Sequence, residues 1–280
     1  MTNSPAPDPL APLAALPGVA DALEEAREAI AGVHRHQANR RGWATSAAEA
    51  SLRAARSSAA LAGAQVRLGT EGEVEDPILA GALRLSGILH GDGLDHATAV
   101  WTRAPLQQLA RMHTLAAAGL VDPDGGENGG ADGGANPGGA VTEGTVGGAR
   151  LDLLGRPRAE AGVSERLQGL ADLITGGTSV AAPVLAAVVH GELASLRPFG
   201  TADGVVARAA SRLVSVSTGL DPRGLGVPEV LWNRDRARYE SLLAGFATGT
   251  ADGLGAWILY QCEAIVEGAR EAKAIADAAG

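Results

Sequence analysis

From Ser179 to Ala194 the chain reads S-V-A-A-P-V-L-A-A-V-V-H-G-E-L-A, and Glu192 is its one charged residue. Val180, Val184, Val188 and then Leu196 recur at helical spacing. Pro183 suits a first turn, and Thr178 or Ser179 is placed to cap it. Apolar residues at helical spacing on both sides of the loop Arg197–Arg208 predict a central helix–loop–helix motif in a compact bundle of about eight helices, the loop standing at the N-terminus of a central buried helix. Little elsewhere alternates with period two. Ala, Leu and Val supply most of the 46% of residues that are hydrophobic, and aromatics are only 3%. Both facts predict an all-α chain.

The other helices follow from the same spacing. Val19, Leu23, Ala26, Ile30 and Val33 form an apolar stripe on a helix expected from Gly18 to about Arg40. Further helices are expected over 46–61, from Asp76 and Pro77 to near the stretch Gly87–Gly93, from Trp101 to Gly119, and from Leu167 to Ile174. After the central helix come segments from Val205 to Val216, Val227 to Phe246 and Leu254 to Ala276. The Pro-rich residues 1–17 predict a loose arm, and 18–277 a single domain. Within it, 11 of the 29 residues in 122–150 are Gly, mixed with Asp, Asn and Pro. Such a stretch cannot bury enough apolar surface to offset its backbone entropy, so a disordered insertion is expected. Neither G-x-x-x-x-G-K-S/T nor G-x-G-x-x-G occurs, which removes the phosphate-cradle reading of this segment.

Charge narrows the function. The 23 basic and 32 acidic residues give a formal net charge of −9, a sign that opposes a nucleic-acid track. No apolar stretch is long enough for a bilayer span, and the N-terminus lacks the features of a signal peptide, so a cytoplasmic protein is expected. The single cysteine, Cys262, fits a reducing compartment, and its apolar neighbours predict a buried thiol. Two histidine groups invite a metal reading: His34 with His36, and His90 and His96 with Asp92 and Asp95. A solvated helix end and a polar turn account for them more simply.

The stretch after the central helix, R197-P-F-G-T-A-D-G-V-V-A-R208, is a short loop feeding another helix. Backbone N–H groups and the helix dipole converge there, which makes an anion site in principle. This loop resembles the active-site motif of Fic (Fido-fold) proteins, H-P-F-x-D/E-G-N-G-R-x-x-R, most of which transfer AMP from ATP onto protein hydroxyls. Pro198, Phe199, Gly204 and Arg208 match. Arg197 stands at the histidine, Thr201 at the acid, Ala202 at the first glycine, Asp203 at the asparagine and Val205 at the first arginine. Upstream, the segment from Ala50 to Gly63 is similar to the one carrying the inhibitory motif S/T-x-x-x-E-G/N. Ser58 and Gly63 match there, and Ala62 takes the glutamate position. P105-L-Q-Q-L-A-R-M-H-T-L-A is similar to the helix before the target-clamping hairpin, where Arg156-Pro157-Arg158 would sit. The helices after Trp232 and Trp257 look like the end of the domain, so the similarity spans about residues 45–265.

The resemblance implies a Fido-like helical bundle with a degenerate site. In the family the histidine takes the proton from the attacking hydroxyl, and a guanidinium at Arg197 cannot. The acid holds Mg²⁺ between phosphates, while Thr201 offers a neutral hydroxyl. Asp203 would repel a phosphate unless it took over the metal. What remains for nucleotide or anion binding is Arg197, Arg208 and the backbone around Gly204. Base, metal ligand and inhibitory glutamate are lost together, a pattern expected of a pseudoenzyme that binds another protein and takes ATP and Mg²⁺ only weakly. Two alternatives stay open. One is a nucleotide-dependent transferase with altered chemistry, using Glu192 or His190 as base. The other is an unrelated helical enzyme such as an oxidoreductase, which would need a cofactor.

Overall fold

The computed structural model describes residues 8–66, 74–120 and 162–279. The Gly-rich insertion 122–150, the Arg156-Pro157-Arg158 triplet and residues 1–7 lie outside them. Every regular element among the described residues is helical, and there is no strand. The order is α1 (Ala11–Ala14), α2 (Val19–Arg35), α3 (Gln37–Leu61), α4 (Pro77–Ile88), α5 (Gly91–Trp101) and α6 (Pro105–Ala117). After the undescribed segment come α7 (Val163–Asp172), α8 (Ala182–Leu196), α9 (Asp203–Ser217), α10 (Glu229–Arg234), α11 (Arg236–Phe246) and α12 (Ala251–Ala279).

The apolar run does become the centre. Twelve of the fifteen residues of α8 are buried. Leu185, Val188, Val189 and Leu193 face a core shared with α4, α5, α6 and α9. Val184 and Ala187 face a second core built with α2, α10, α11 and α12. Apolar side chains on both flanks are what a helix between two cores requires. At Gly191 an added Cβ would lie 2.6 Å from the Phe246 ring, so α11 reaches the α8 backbone only because no side chain intervenes.

Helix boundaries show which signals were local. The expected stripe of α2 is buried residue for residue. The helix nevertheless stops at Arg35, short of Arg40, because His36 is extended (φ −58°, ψ 138°). The buried Asn39 folds back, its Nδ2 donating to the Val33 carbonyl at 2.9 Å. Asp76 opens α4 as expected, its Oδ1 accepting from the N–H of Ile78 and Leu79 at 2.9 and 3.0 Å. Trp101 ends α5 and does not begin α6, which starts at Pro105. The segment from Val227 to Phe246 is two helices, broken at Asp235 (φ −119°, ψ 56°).

Residues 8–17 correct the expectation of a loose arm. Leu10 is buried, and the Asp8 carboxylate accepts from Thr178 Oγ at 2.8 Å and from the Ser179 N–H and Oγ at 2.6 and 2.9 Å. The Ser179 N–H foremost, with the Leu10 N–H and the two hydroxyls, outweighs desolvation and holds this carboxyl far below the usual carboxylate range. Thr178 and Ser179 therefore serve Asp8. Neither caps α8, which begins at Ala182 after Ala181.

Candidate functional site

The loop between α8 and α9 is shaped by three positive φ angles. Arg197 closes α8 in the left-handed region (φ 48°), Gly200 follows at 79°, and Ala202 at 55° turns the chain into α9. Two of these are not glycine, and each such residue carries a steric penalty of about 1 kcal/mol. What holds the turn is Asp203, the first residue of α9, 2% exposed. Its Oδ1 accepts from the Phe199 N–H at 2.9 Å, and its Oδ2 has no partner. Burial pushes this carboxyl up to about 6, against the pull of the Phe199 and Gly200 N–H groups and the Arg197 charge. The carboxylate thus occupies the Phe199 amide of the loop.

The arginines divide. Arg197 is exposed. Arg208 is 3% exposed, and its Nε and one terminal nitrogen donate to Ser58 Oγ and Ser58 O at 2.7 and 2.9 Å. A Cβ on Gly204 would meet the same guanidinium at 3.2 Å. Those two nitrogens of Arg208 are committed inside the protein and are not open to a ligand at the mouth of the loop. Ser58 belongs to the last turn of α3, with the buried Ala62 and then Gly63 (φ 95°) ending that helix. The two segments that carry the Fic resemblance therefore meet across 150 residues of chain.

Neither proposed substitute base stands ready. The Glu192 carboxylate is held by Arg166 at 2.6 and 3.1 Å. His190 is fully buried among Trp232, Trp257 and Tyr239, with ring centroids 4.6, 5.2 and 5.6 Å away. Its Nε2 lies 2.8 Å from the Tyr239 hydroxyl and its Nδ1 3.3 Å from Gln261 Oε1. Burial above all, with the Arg208 charge, pushes its pKa down to about 3, so it is a neutral structural histidine.

A different histidine reaches the loop. His113 of α6 stacks on Phe199 with ring centroids 4.4 Å apart and planes 8° apart. Its Nε2 lies 3.0 Å from Thr201 Oγ. Burial lowers its pKa, which favours the neutral ring. Nothing in the sequence near Met112 signals this contact, because 88 residues separate the partners.

Metal readings find no support in the geometry. His34 pairs with Asp221 at 2.9 Å and His36 with Asp277 at 3.0 Å. The His90 Nδ1 lies 2.7 Å from the Ser86 carbonyl, a capping contact. Among the described residues, no group of three His, Cys, Asp or Glu is placed to hold a metal ion. Cys262 is buried and its thiol pushed up to about 12, which makes it unreactive. No helix of the described residues is long and apolar enough to cross a membrane. No protein-family model matches the chain, and a search of curated proteins finds no significant match.

Proposed function

We propose that this chain is a catalytically silent binding module on a Fido-like helical scaffold, acting through contact with another protein and not through AMP transfer. The observation that carries the reading is Asp203. Its carboxylate, at the position the resemblance gives to an asparagine, sits at the start of α9 and accepts from the Phe199 N–H of the loop. A fixed internal anion repels an external one, by an amount of the order of 1 kcal/mol or more at close range. Arg197 cannot act as a base, Glu192 is paired with Arg166, and His190 is enclosed. The Ser58–Arg208 contact supports the alignment of both segments with the family, since it puts the inhibitory-type segment against the loop helix.

The test is a labelled-ATP transfer assay with Mg²⁺, run beside calorimetry at pH 7.5. Wild type is expected to label nothing above background and to bind ATP in the millimolar range. Asp203→Asn is expected to bind ATP about tenfold more tightly, the effect of removing about 1.4 kcal/mol of repulsion. A second reading, transfer with altered chemistry, is favoured by one observation: the half-buried His113 ring against Thr201 Oγ. Robust labelling that His113→Ala abolishes would replace the first reading with this one.

A further inference from the structure

Below the loop, α9 and α10 bury charged groups whose hydrogen bonds are incomplete. Arg208, Arg212 and Glu229, each at least nine-tenths buried, wall two cavities of about 40 and 30 Å³. The larger is also lined by Ser211, Trp232 and Gln261, with the half-buried Ser215 and Leu220 at its edge. A volume of 40 Å³ accommodates two or three waters, or one small ion.

The polar inventory of this wall is lopsided. Arg212 is anchored by its terminal nitrogens to the carbonyls of Gly226, at 3.1 Å, and Gly224, yet its Nε–H has no acceptor. The indole N–H of Trp232 and the Nε2 of Gln261 are also buried without acceptors. Gln261 is oriented by its Oε1, which faces His190 Nδ1. Against these three donors stands one unpartnered acceptor, Oε2 of Glu229. Burial raises the pKa of that carboxyl, against the pull of the two arginines. Asp221 also lines the cavity; its oxygens accept from the N–H groups of Leu225 and Gly226 and contact His34, and its carboxyl, despite burial held below the ordinary range by His34 and Arg212, offsets the Arg212 charge. Buried donors without acceptors are unusual in folded proteins and call for a water or an ion.

We infer that this cavity binds a small oxyanion of formate or acetate size, held by the Arg212 Nε–H, the Trp232 indole N–H and Gln261 Nε2. With Arg212 offset by Asp221, the Arg208 guanidinium balances its charge. The site is distinct from the loop and does not rest on the reading given to the loop.

The probes are sodium formate and sodium acetate, titrated into the full-length chain at constant ionic strength with chloride as balance. Binding is read from the Trp232 indole ¹⁵N–¹H resonance, assigned with Trp232→Phe, and from the melting temperature. Wild type is expected to show a saturable shift of that resonance and a rise in melting temperature. Trp232→Phe, read by melting temperature, is expected to bind about fivefold more weakly, the loss of one neutral hydrogen bond. Gln261→Met tests the same point from α12. Glu229→Gln, which removes the competing acid, is expected to bind at least as tightly as wild type. The proposal fails if no saturable shift appears, if chloride alone reproduces it, or if Trp232→Phe and Gln261→Met both keep wild-type affinity. The first outcome leaves water as the occupant, the second a non-selective anion, and the third places the anion away from these donors.

Discussion

Between pH 6.5 and pH 4, Asp203→Asn is expected to lose about 3 kcal/mol of stability relative to its own value at pH 7, while His190→Gln is expected to gain about as much. The two groups carry opposite linkage. His190 has a folded pKa of about 3, below the ordinary 6.5, so the unfolded chain binds its proton first. Its contribution is full above pH 6.5 and is lost as the pH falls toward 3, up to about 5 kcal/mol in all. Asp203 has a folded pKa of about 6, above the ordinary 3.8. Its contribution is full below pH 3.8 and is lost as the pH rises through 6, about 3 kcal/mol in all.

In wild type the two nearly cancel between pH 6 and 4, and only below that range does His190 prevail. Each variant removes one partner and leaves the slope of the other. The buried acids Asp221 and Glu229 titrate alike in both variants, so the difference between the two slopes isolates the pair. Urea unfolding at half-unit steps of pH measures it. Parallel slopes in the two variants would show that neither group is held as described.

Gly81→Ala is expected to destabilise the protein by about 2 kcal/mol, although alanine is the better helix former. The reason is the crossing of α4 and α6. A Cβ at Gly81 would lie 2.1 Å from the Ala116 carbonyl oxygen and 3.2 Å from its Cα. These are backbone atoms, so no rotamer change relieves the clash and the helices must separate. Arg84, one turn later on α4, ties the same place by donating from Nε to the Leu115 carbonyl at 2.8 Å and from a terminal nitrogen to that of Ala118. Separation would therefore break packing and hydrogen bonds together. Overpacking costs of 1–3 kcal/mol exceed the roughly 1 kcal/mol gained in helix propensity. Gly87→Ala, on the same helix with open space around it, serves as the control and is expected to be neutral or stabilising. Thermal melts of the two variants make the comparison. Equal melting temperatures would place the α4–α6 contact further apart than described.

The sequence by itself determined the all-α class, the central place of α8, the buried stripe of α2, the Asp76 start of α4 and the burial of Cys262. Those features follow from side-chain period and from residues adjacent in the chain, and both are local quantities. Residues on both flanks of α8 had to be apolar because two cores meet there, so its position was written into its composition. The helix breaks at His36 and Asp235 were not legible, since neither residue is a strong breaker and the turn is imposed by what packs around it. Nor was the state of the loop. The matched positions were visible in the chain, but only the fold turned Arg208 toward Ser58, paired Glu192 with Arg166, enclosed His190 among aromatic rings and brought His113 from α6 to Thr201. A buried polar group takes whichever partner the packing supplies, here from 26 to 150 residues away, and no local pattern specifies that choice.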